Sequence, residues 1–476
     1  MNPYKKLMSN TLIFTIGKFA SKILVFLMMR LYTSCLTDTQ YSQADLIVQI
    51  ANLLIPLACV GIGEGIFRSA AAKSGNKEAF FTNGLVVLLL GTVGFLALSP
   101  LLGLIDRFKP FVWLIVLYVV MSNCHAVVSQ YLCAIGRTKL FAGQGILNTA
   151  FVVGLNVLFL PVLDMGITGF VLSTVVADGL TTIFLVVYAK LWKAVKPQTV
   201  SKQVIMPMLK FCIPLIPTTV FWWITGVSDR YLVAEICSDA QNGLYAAAYK
   251  VPTLLIYVVS IFDSAWKLSV SEEDDNPEES RKFFTKVWRM YTTMAFVGGA
   301  GLILFCRVFG RLLYADAFRD AWVFIPVLTV ATVFTALDTF LGSAYYQSKR
   351  TIGSMLTALC GAVVNIVLNL IMIPYWGGMG ASIATFISYF LVFVIRLATI
   401  HKLVAFDREI LRNFCNTLLI GLLSVTMTLT YPAYGGENPM LWWGLSTGLF
   451  LLVCVFNGKA LLELLKSGVR LIRRRG

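Results

Sequence analysis

Three cations interrupt an apolar run near the start of the chain. From Thr11 to Leu31 the sequence reads TLIFTIGKFASKILVFLMMRL, long enough to cross a bilayer as a helix, yet it carries Lys18, Lys22 and Arg30. A cation at the centre of a membrane helix costs about 2.5–3.5 kcal/mol. Lys18 and Lys22 together therefore cost roughly 5–7 kcal/mol, against gains of about 0.3–0.6 kcal/mol for each Leu, Ile, Phe or Val. The two lysines are four residues apart and share one helix face. That face must meet protein or a wet cavity, not lipid. Two chemistries fit: neutralisation by structural acids, or a cationic site for an anionic substrate inside the membrane. Arg30 is near enough to the end of the run to reach the interface.

Cations return in the seventh and eighth apolar spans, at Ser228-Asp229-Arg230 and Tyr249-Lys250. Arg230 and Lys250 join Lys18, Lys22 and Arg30 as candidates for one substrate-binding cleft. Neighbours in sequence point in different directions on a helix, so Lys250 is the expected partner of Asp229. The second span carries Asp45, Gln49 and Asn52 at i, i+4 and i+7, one polar stripe. Asp45 is close enough to the outer interface to be solvated. Glu64 and Arg68, four residues apart, fit a structural ion pair. Asp178, Asp263 and Asp338 also lie in apolar runs. Each suits either a proton or cation coupling site or a partner for an embedded cation. No cofactor is expected, and coupling to Na+ or H+ is the one requirement these acids leave open. The ten cysteines lack metal spacing, and His125 and His401 lack neighbours that make a metal site. With no nucleophile–histidine pair and no phosphate-binding glycine loop, no enzyme is expected.

Such residues need a membrane scaffold to position them. The chain has 476 residues, 58% hydrophobic and 13% charged, where a soluble domain carries about 25% charged residues. Mean hydropathy is +0.79. The expected fold is all-α and polytopic, with fourteen transmembrane helices at 10–34, 42–67, 80–104, 111–134, 140–160, 166–189, 207–235, 242–268, 283–305, 320–346, 351–373, 378–400, 411–431 and 440–457. The net charge of +15 sits largely in loops and does not point to nucleic acid. With the N-terminus cytoplasmic, Lys5, Lys6, Arg68, Lys73, Lys77, Arg137, Lys139, the lysines from Lys190 to Lys210, Lys349, Arg350, Arg408, Arg412 and the basic tail fall on one side. The other side holds only Arg107, Lys109, Arg307, Arg311 and Arg319. Both termini are thus expected in the cytoplasm.

An internal repeat organises these spans. Arg137-Thr138 recurs as Arg350-Thr351, and Asn156 and Pro161 recur as Asn369 and Pro374. GITGFVLST from Gly166 matches GGMGASIAT from Gly377, TDTQYSQA from Thr37 matches SDAQNGLY from Ser238, and EAFF from Glu78 matches RKFF from Arg281. Span one then corresponds to span seven and span six to span twelve. Six is even, so the halves share one orientation, related by a pseudo-two-fold axis along the membrane normal. The expected organisation is an N-terminal six-helix lobe at 1–192, a linker at 193–206, a C-terminal six-helix lobe at 207–403, two additional helices at 404–458 and a basic tail at 459–476. Two such lobes suggest a central cleft and alternating access.

The fourteen spans, the two lobes, the charged first helix, Asp229-Arg230-Tyr231 and the Asn…Pro…Gly pattern closing spans five and eleven resemble bacterial polysaccharide flippases of the multidrug/oligosaccharidyl-lipid/polysaccharide exporter superfamily. The resemblance implies a V-shaped pair of lobes that moves polyprenyl-diphosphate-linked sugars from the inner to the outer leaflet of the bacterial cell membrane. Its partners would be the lipid-linked oligosaccharide, membrane lipids and glycan-assembly enzymes, with a monomer sufficient for the cycle. In the lipid II branch, cations of the first helix and second lobe line the cavity. Lys18, Lys22 and Arg230 match those positions in kind, with lysines where that branch favours arginines. The two additional spans there help form a groove for the lipid tail, as 411–431 and 440–457 could here. Alternatives are a lipid II flippase, a cation-coupled multidrug exporter and, from another class, a membrane-embedded polysaccharide polymerase.

Overall fold

A computed structural model describes residues 24, 26–71, 76–260, 277–347, 351–400, 406–431 and 439–464. Lys18, Lys22 and Asp263 lie outside the described residues. The described chain is helical throughout, without strands. It divides into two compact units, bounded between Trp223 and Ile224.

The first unit contains α1 (Met29–Cys35), α2 (Asp38–Ala58), α3 (Ile62–Ala71), α4 (Lys77–Leu98), α5 (Val112–Ala134), α6 (Thr138–Val157), α7 (Gly166–Ala189), α8 (Lys202–Cys212) and the start of α9 (Leu215–Ile236). Ile62, Ile66, Phe81, Tyr131, Leu132 and Leu185 form its buried core, with Phe81 stacked on Tyr131 at 4.2 Å. The glycines crowding the second span mark a bend. α2 and α3 meet at 53°, through Val60 and Gly61, both at positive φ.

The second unit holds the rest of α9, α10 (Asp239–Tyr249), α11 (Pro277–Leu304), α12 (Cys306–Leu313), α13 (Ile325–Gln347), α14 (Thr351–Thr399), α15 (Ile410–Thr428) and α16 (Pro439–Phe456). Trp288, Tyr291, Phe296 and Phe334 are wholly buried in it. The two additional spans are tied in by polar clamps. The amides of Asn416 and Asn457 bond reciprocally. Arg412 donates to Asn457 Oδ1 at 2.7 Å and to Glu409 at 2.6 Å, and Glu409 also pairs with Arg289 of α11.

Among the described residues, nine helices are long and apolar enough to cross a membrane, or twelve if each bent pair is one span. One of these, Ile352–Thr399, contains two spans, because Gly377 breaks it with non-helical φ 55° and ψ −137°. Dividing it makes thirteen; of the first expected span, 10–34, only residues 24 and 26–34 are described. Large apolar side chains face outward along these helices, as at Leu89, Ile183 and Val455. The protein is a multi-pass membrane protein.

The repeat is visible atom by atom. Gly166 and Gly377 both sit at positive φ, +53° and +55°, where a Cβ would meet the following carbonyl. Each turns the chain back on itself. A Cβ on Gly169 would lie 3.2 Å from Phe159 O, and one on Gly380 2.5 Å from Met372 O. A capped helix abuts each tip. Thr37 and Gln40 form a reciprocal capping box on α2, and Ser238 accepts from Gln241 N on α10. The side chain of Gln40 lies by Gly166 and that of Gln241 by Gly377.

Candidate functional site

Each unit holds a buried polar node, and each node has an aspartate at its centre. In the first unit α7 supplies Asp178. Its carboxylate accepts from Ser122 Oγ at 2.6 Å and Asn148 Nδ2 at 2.9 Å, and His125 Nδ1 lies 3.3 Å away. The other ring nitrogen of His125 is 2.7 Å from Gln144 Oε1. Three spans thus converge on one carboxylate, which explains how an acid is tolerated in an apolar run.

In the second unit α9 carries Asp229, which is fully buried. Tyr245 Oη donates to Oδ2 at 2.5 Å and Thr385 Oγ1 at 3.1 Å, while Arg230 N donates to Oδ1 at 2.8 Å. The donors are hydroxyls and a main-chain N–H rather than the expected Lys250 ammonium. Lys250 instead ends α10, half-buried. One layer out, Asn365 Oδ1 accepts from Ser228 Oγ at 3.2 Å and from Asn369 Nδ2 at 2.9 Å, and Asn365 Nδ2 donates to Thr385 Oγ1 at 3.3 Å. The Oδ1 of Asn369 is buried without a hydrogen-bond donor. Arg230 is 5% exposed and lies with its guanidinium 4.8 Å from the Tyr249 ring centroid, a cation–π contact.

This node offers one carboxylate with amide and hydroxyl oxygens, one of them lacking a donor. Oxygen ligands suit hard cations, and the charge already acting on this carboxylate is that of Arg230. No group of three or more His, Cys, Asp or Glu residues capable of holding a metal occurs among the described residues.

The remaining expected residues are distributed as follows. Asp45 is buried, at 2% exposure, so it is not solvated at the interface. Gln49 Nε2 approaches its Oδ1 at 3.5 Å, and exposure rises along the stripe to Asn52. Gln49 O accepts from Trp223 Nε1 at 3.0 Å. Glu64 and Arg68 do not pair with each other. Glu64 accepts from Gln130 at 3.1 Å, and Arg68 lies over the Phe211 ring at 4.2 Å, so each finds its partner on another helix. Arg30 is exposed on α1.

Asp338 is 1% exposed, and neither carboxylate oxygen has a hydrogen bond. Arg396, also 1% exposed, is the cation whose charge acts on it. The guanidinium itself bonds to Asp338 O at 2.7 Å and to Thr357 Oγ1 at 2.9 and 3.0 Å. Tyr245, Asn365, Arg396 and the polar company of Asp178 are all absent from the residues singled out by sequence. Arg396 carried a usable signal: a cation deep in an apolar span.

Comparison with known proteins agrees with this architecture. The chain is similar in fold to a lipid II flippase, MurJ, in an inward closed conformation: TM-score 0.67 at 14% identity, over 95% of this chain and 99% of that one. An inward-facing multidrug resistance MATE transporter of the MOP superfamily follows at TM-score 0.65 and 14% identity, over 82% and 98%. An uncharacterized membrane protein of Methanocaldococcus jannaschii is 21% identical over 302 residues, 57% of this chain and 70% of that protein. Residues 7–266, more than half of the chain, match the family of polysaccharide biosynthesis proteins. The chain belongs to that family of polysaccharide biosynthesis proteins.

Proposed function

We propose that the protein is a flippase that carries a polyprenyl-diphosphate-linked oligosaccharide, of the kind used for capsule, exopolysaccharide or teichoic-acid-type polymers, from the inner to the outer leaflet. The observation that carries this reading is Arg230, a guanidinium 5% exposed within a membrane span of a polysaccharide biosynthesis protein. Lys18, Lys22, Arg30 and Lys250 complete the cationic cleft in this reading. A diphosphate is an anion that several cations in a low-dielectric site attract without demanding one sugar structure. An apolar pocket of about 260 Å³, lined by Phe390, Phe393, Leu397, Ile410 and Phe414, suits part of a prenyl chain. Alternating access would follow from rocking of the two lobes. The oxygen set around Asp229 supports coupling to a hard cation such as Na+. Asp229, Asn365, Asn369 and Thr385 would hold it, and its gradient would supply the drive. The bacterial cell membrane, with both termini cytoplasmic, is the proposed location.

The test is deletion of the gene in its host, with polyprenyl-linked lipids profiled by mass spectrometry and leaflet. A single diphosphate-linked glycan should accumulate on the cytoplasmic side. Wild-type protein should clear it; Lys18→Ala with Lys22→Ala, or Arg230→Ala, should not, despite normal insertion. Full clearance by these variants would falsify the cationic-cleft reading. Drug sensitivity without glycan accumulation would favour a multidrug exporter.

A further inference from the structure

The internal repeat diverges at one helix end. At the start of α4 the first unit has Glu78, Ala79, Thr82, Asn83 and Val86; at the start of α11, 203 residues on, the second has Arg281, Lys282, Thr285, Lys286 and Arg289. The equivalence is structural as well as sequential. Lys196 N donates to Thr82 Oγ1 and Asp407 N donates to Thr285 Oγ1, each at 2.9 Å. In the first unit the connecting chain then seals the helix end. Asn83 bonds to both Thr199 O and Ser201 N, Thr82 donates to Ala194 O at 3.3 Å, and Glu78 pairs with Lys196. In the second unit no described residue seals the same surface in this way. That surface borders a pocket of about 440 Å³ lined by Glu278, Arg281, Lys282, Thr285, Lys286, Arg289 and Glu463.

That volume falls in the usual range for small-ligand sites, about 300–1,000 Å³. Among the described lining residues, four are cations and two are carboxylates. Arg281 and Lys286 have no acidic partner among the described residues. Arg289 is anchored: Glu409 accepts its Nε at 2.5 Å, and Arg412 braces Glu409 in turn. Phe283 and Leu462, each next in sequence to a lining residue, are 38% and 57% exposed. A basic concavity at the end of a membrane span, with exposed apolar residues next to it in sequence, matches a lipid better than a free anion.

We propose that this pocket binds the phosphate of an anionic membrane lipid with a hydroxyl-bearing headgroup. Arg281, Lys282 and Lys286 hold the phosphate, Glu278 and Glu463 accept from headgroup hydroxyls, and the acyl chains run along the exposed apolar residues. The site is independent of the transport reading and is tested without transport.

Full-length protein is titrated with short-chain phosphatidylglycerol, phosphatidylcholine or inorganic phosphate, and bound lipid is counted by native mass spectrometry. The wild type should prefer phosphatidylglycerol. Arg281→Ala with Lys282→Ala and Lys286→Ala should bind it about 10- to 100-fold more weakly. A control that removes three cations elsewhere, Lys190→Ala with Lys193→Ala and Lys202→Ala, should change nothing. If the triple variant folds poorly, Lys286→Glu alone should give the same direction of loss. Equal binding of phosphatidylcholine, or an equal loss in the control, overturns the site. Displacement of the lipid by equimolar inorganic phosphate assigns the pocket to a free anion and overturns the lipid.

Discussion

In the first unit, Ser122, His125, Gln144 and Asn148 surround Asp178. Their counterparts in the second unit, read through the shifts that relate Asn156 to Asn369 and Gly166 to Gly377, are Thr335, Asp338, Thr357, Gly361 and Tyr389. The contacts persist while the chemistry changes. Ser122 bonds Asp178, and Thr335 bonds Tyr389. Asn148 reaches Thr181, and Gly361 faces Val392 at the equivalent place. At the position of Leu185 the second unit inserts Arg396, which reaches the residue where His125 would stand. The Asp229 node inverts the pattern. Around it the second unit has Asp229, Tyr245 and Asn365, where the first has Met28, Ala44 and Val152. At Asp178 and Asp229 the scaffold tolerates an acid because donors from neighbouring spans arrive with it; Asp338 has no such donors and only the charge of Arg396 acts on it.

Arg396 offers the sharpest way to break this comparison. Arg396→Leu restores the residue of the first unit but leaves the Asp338 carboxylate buried without its cation. The expected cost is about 3–5 kcal/mol, read as lost thermal stability in detergent. Adding Asp338→Leu should recover most of it. A silent single variant would show that the two residues are not electrostatically linked.

Asp229→Ala comes next. It strands the donors Tyr245, Thr385 and Arg230 N–H, at about 1–3 kcal/mol, and on the proposed function also abolishes glycan-lipid clearance. Met28→Ala, at the equivalent position, should leave clearance intact. Smaller still is the difference between the hairpin tips. Ala at either tip glycine carries left-handed strain of about 1–2 kcal/mol. Gly377→Ala should lower the melting temperature further than Gly166→Ala, because its Cβ would come 2.7 Å from the Gln241 amide, whereas at Gly166 the Gln40 amide is 3.9 Å away. The smallest effects belong to the caps, with Thr37→Ala and Ser238→Ala each costing about 1 kcal/mol.

The membrane scaffold was legible because its causes are local. Run length locates spans, and the Asn…Pro…Gly pattern marks both tips, where Gly166 and Gly377 take positive φ. Thirteen of the fourteen expected spans are present among the described residues, in bent and fused helices, because a bend at Gly61 or a break at Gly377 does not change hydropathy. The polar nodes were illegible because their partners are distant. Tyr245 and Thr385 lie 16 and 156 residues from Asp229, while Lys250 was only the nearest opposite charge. His125 has no metal-making neighbours in sequence, and its partners Gln144 and Asp178 come from later spans. Glu64 and Arg68 show the reverse error, since i,i+4 spacing permits a pair but Gln130 and Phe211 made better partners. Arg396 was legible and overlooked, for the insertion cost that singled out Lys18 and Lys22 applies to it equally.

The two aspartates also differ in when they become safe. Every side chain that bonds to the Asp178 carboxylate precedes it in the chain, so its partners are already synthesised when it leaves the ribosome. Asp229 has no such cover. Thr385 follows it by 156 residues, and at about 5–20 residues per second that is roughly 8–30 s of translation. During that interval a nascent second half holds an incompletely solvated acid in the bilayer, which makes it the half on which membrane chaperones and proteases have time to act.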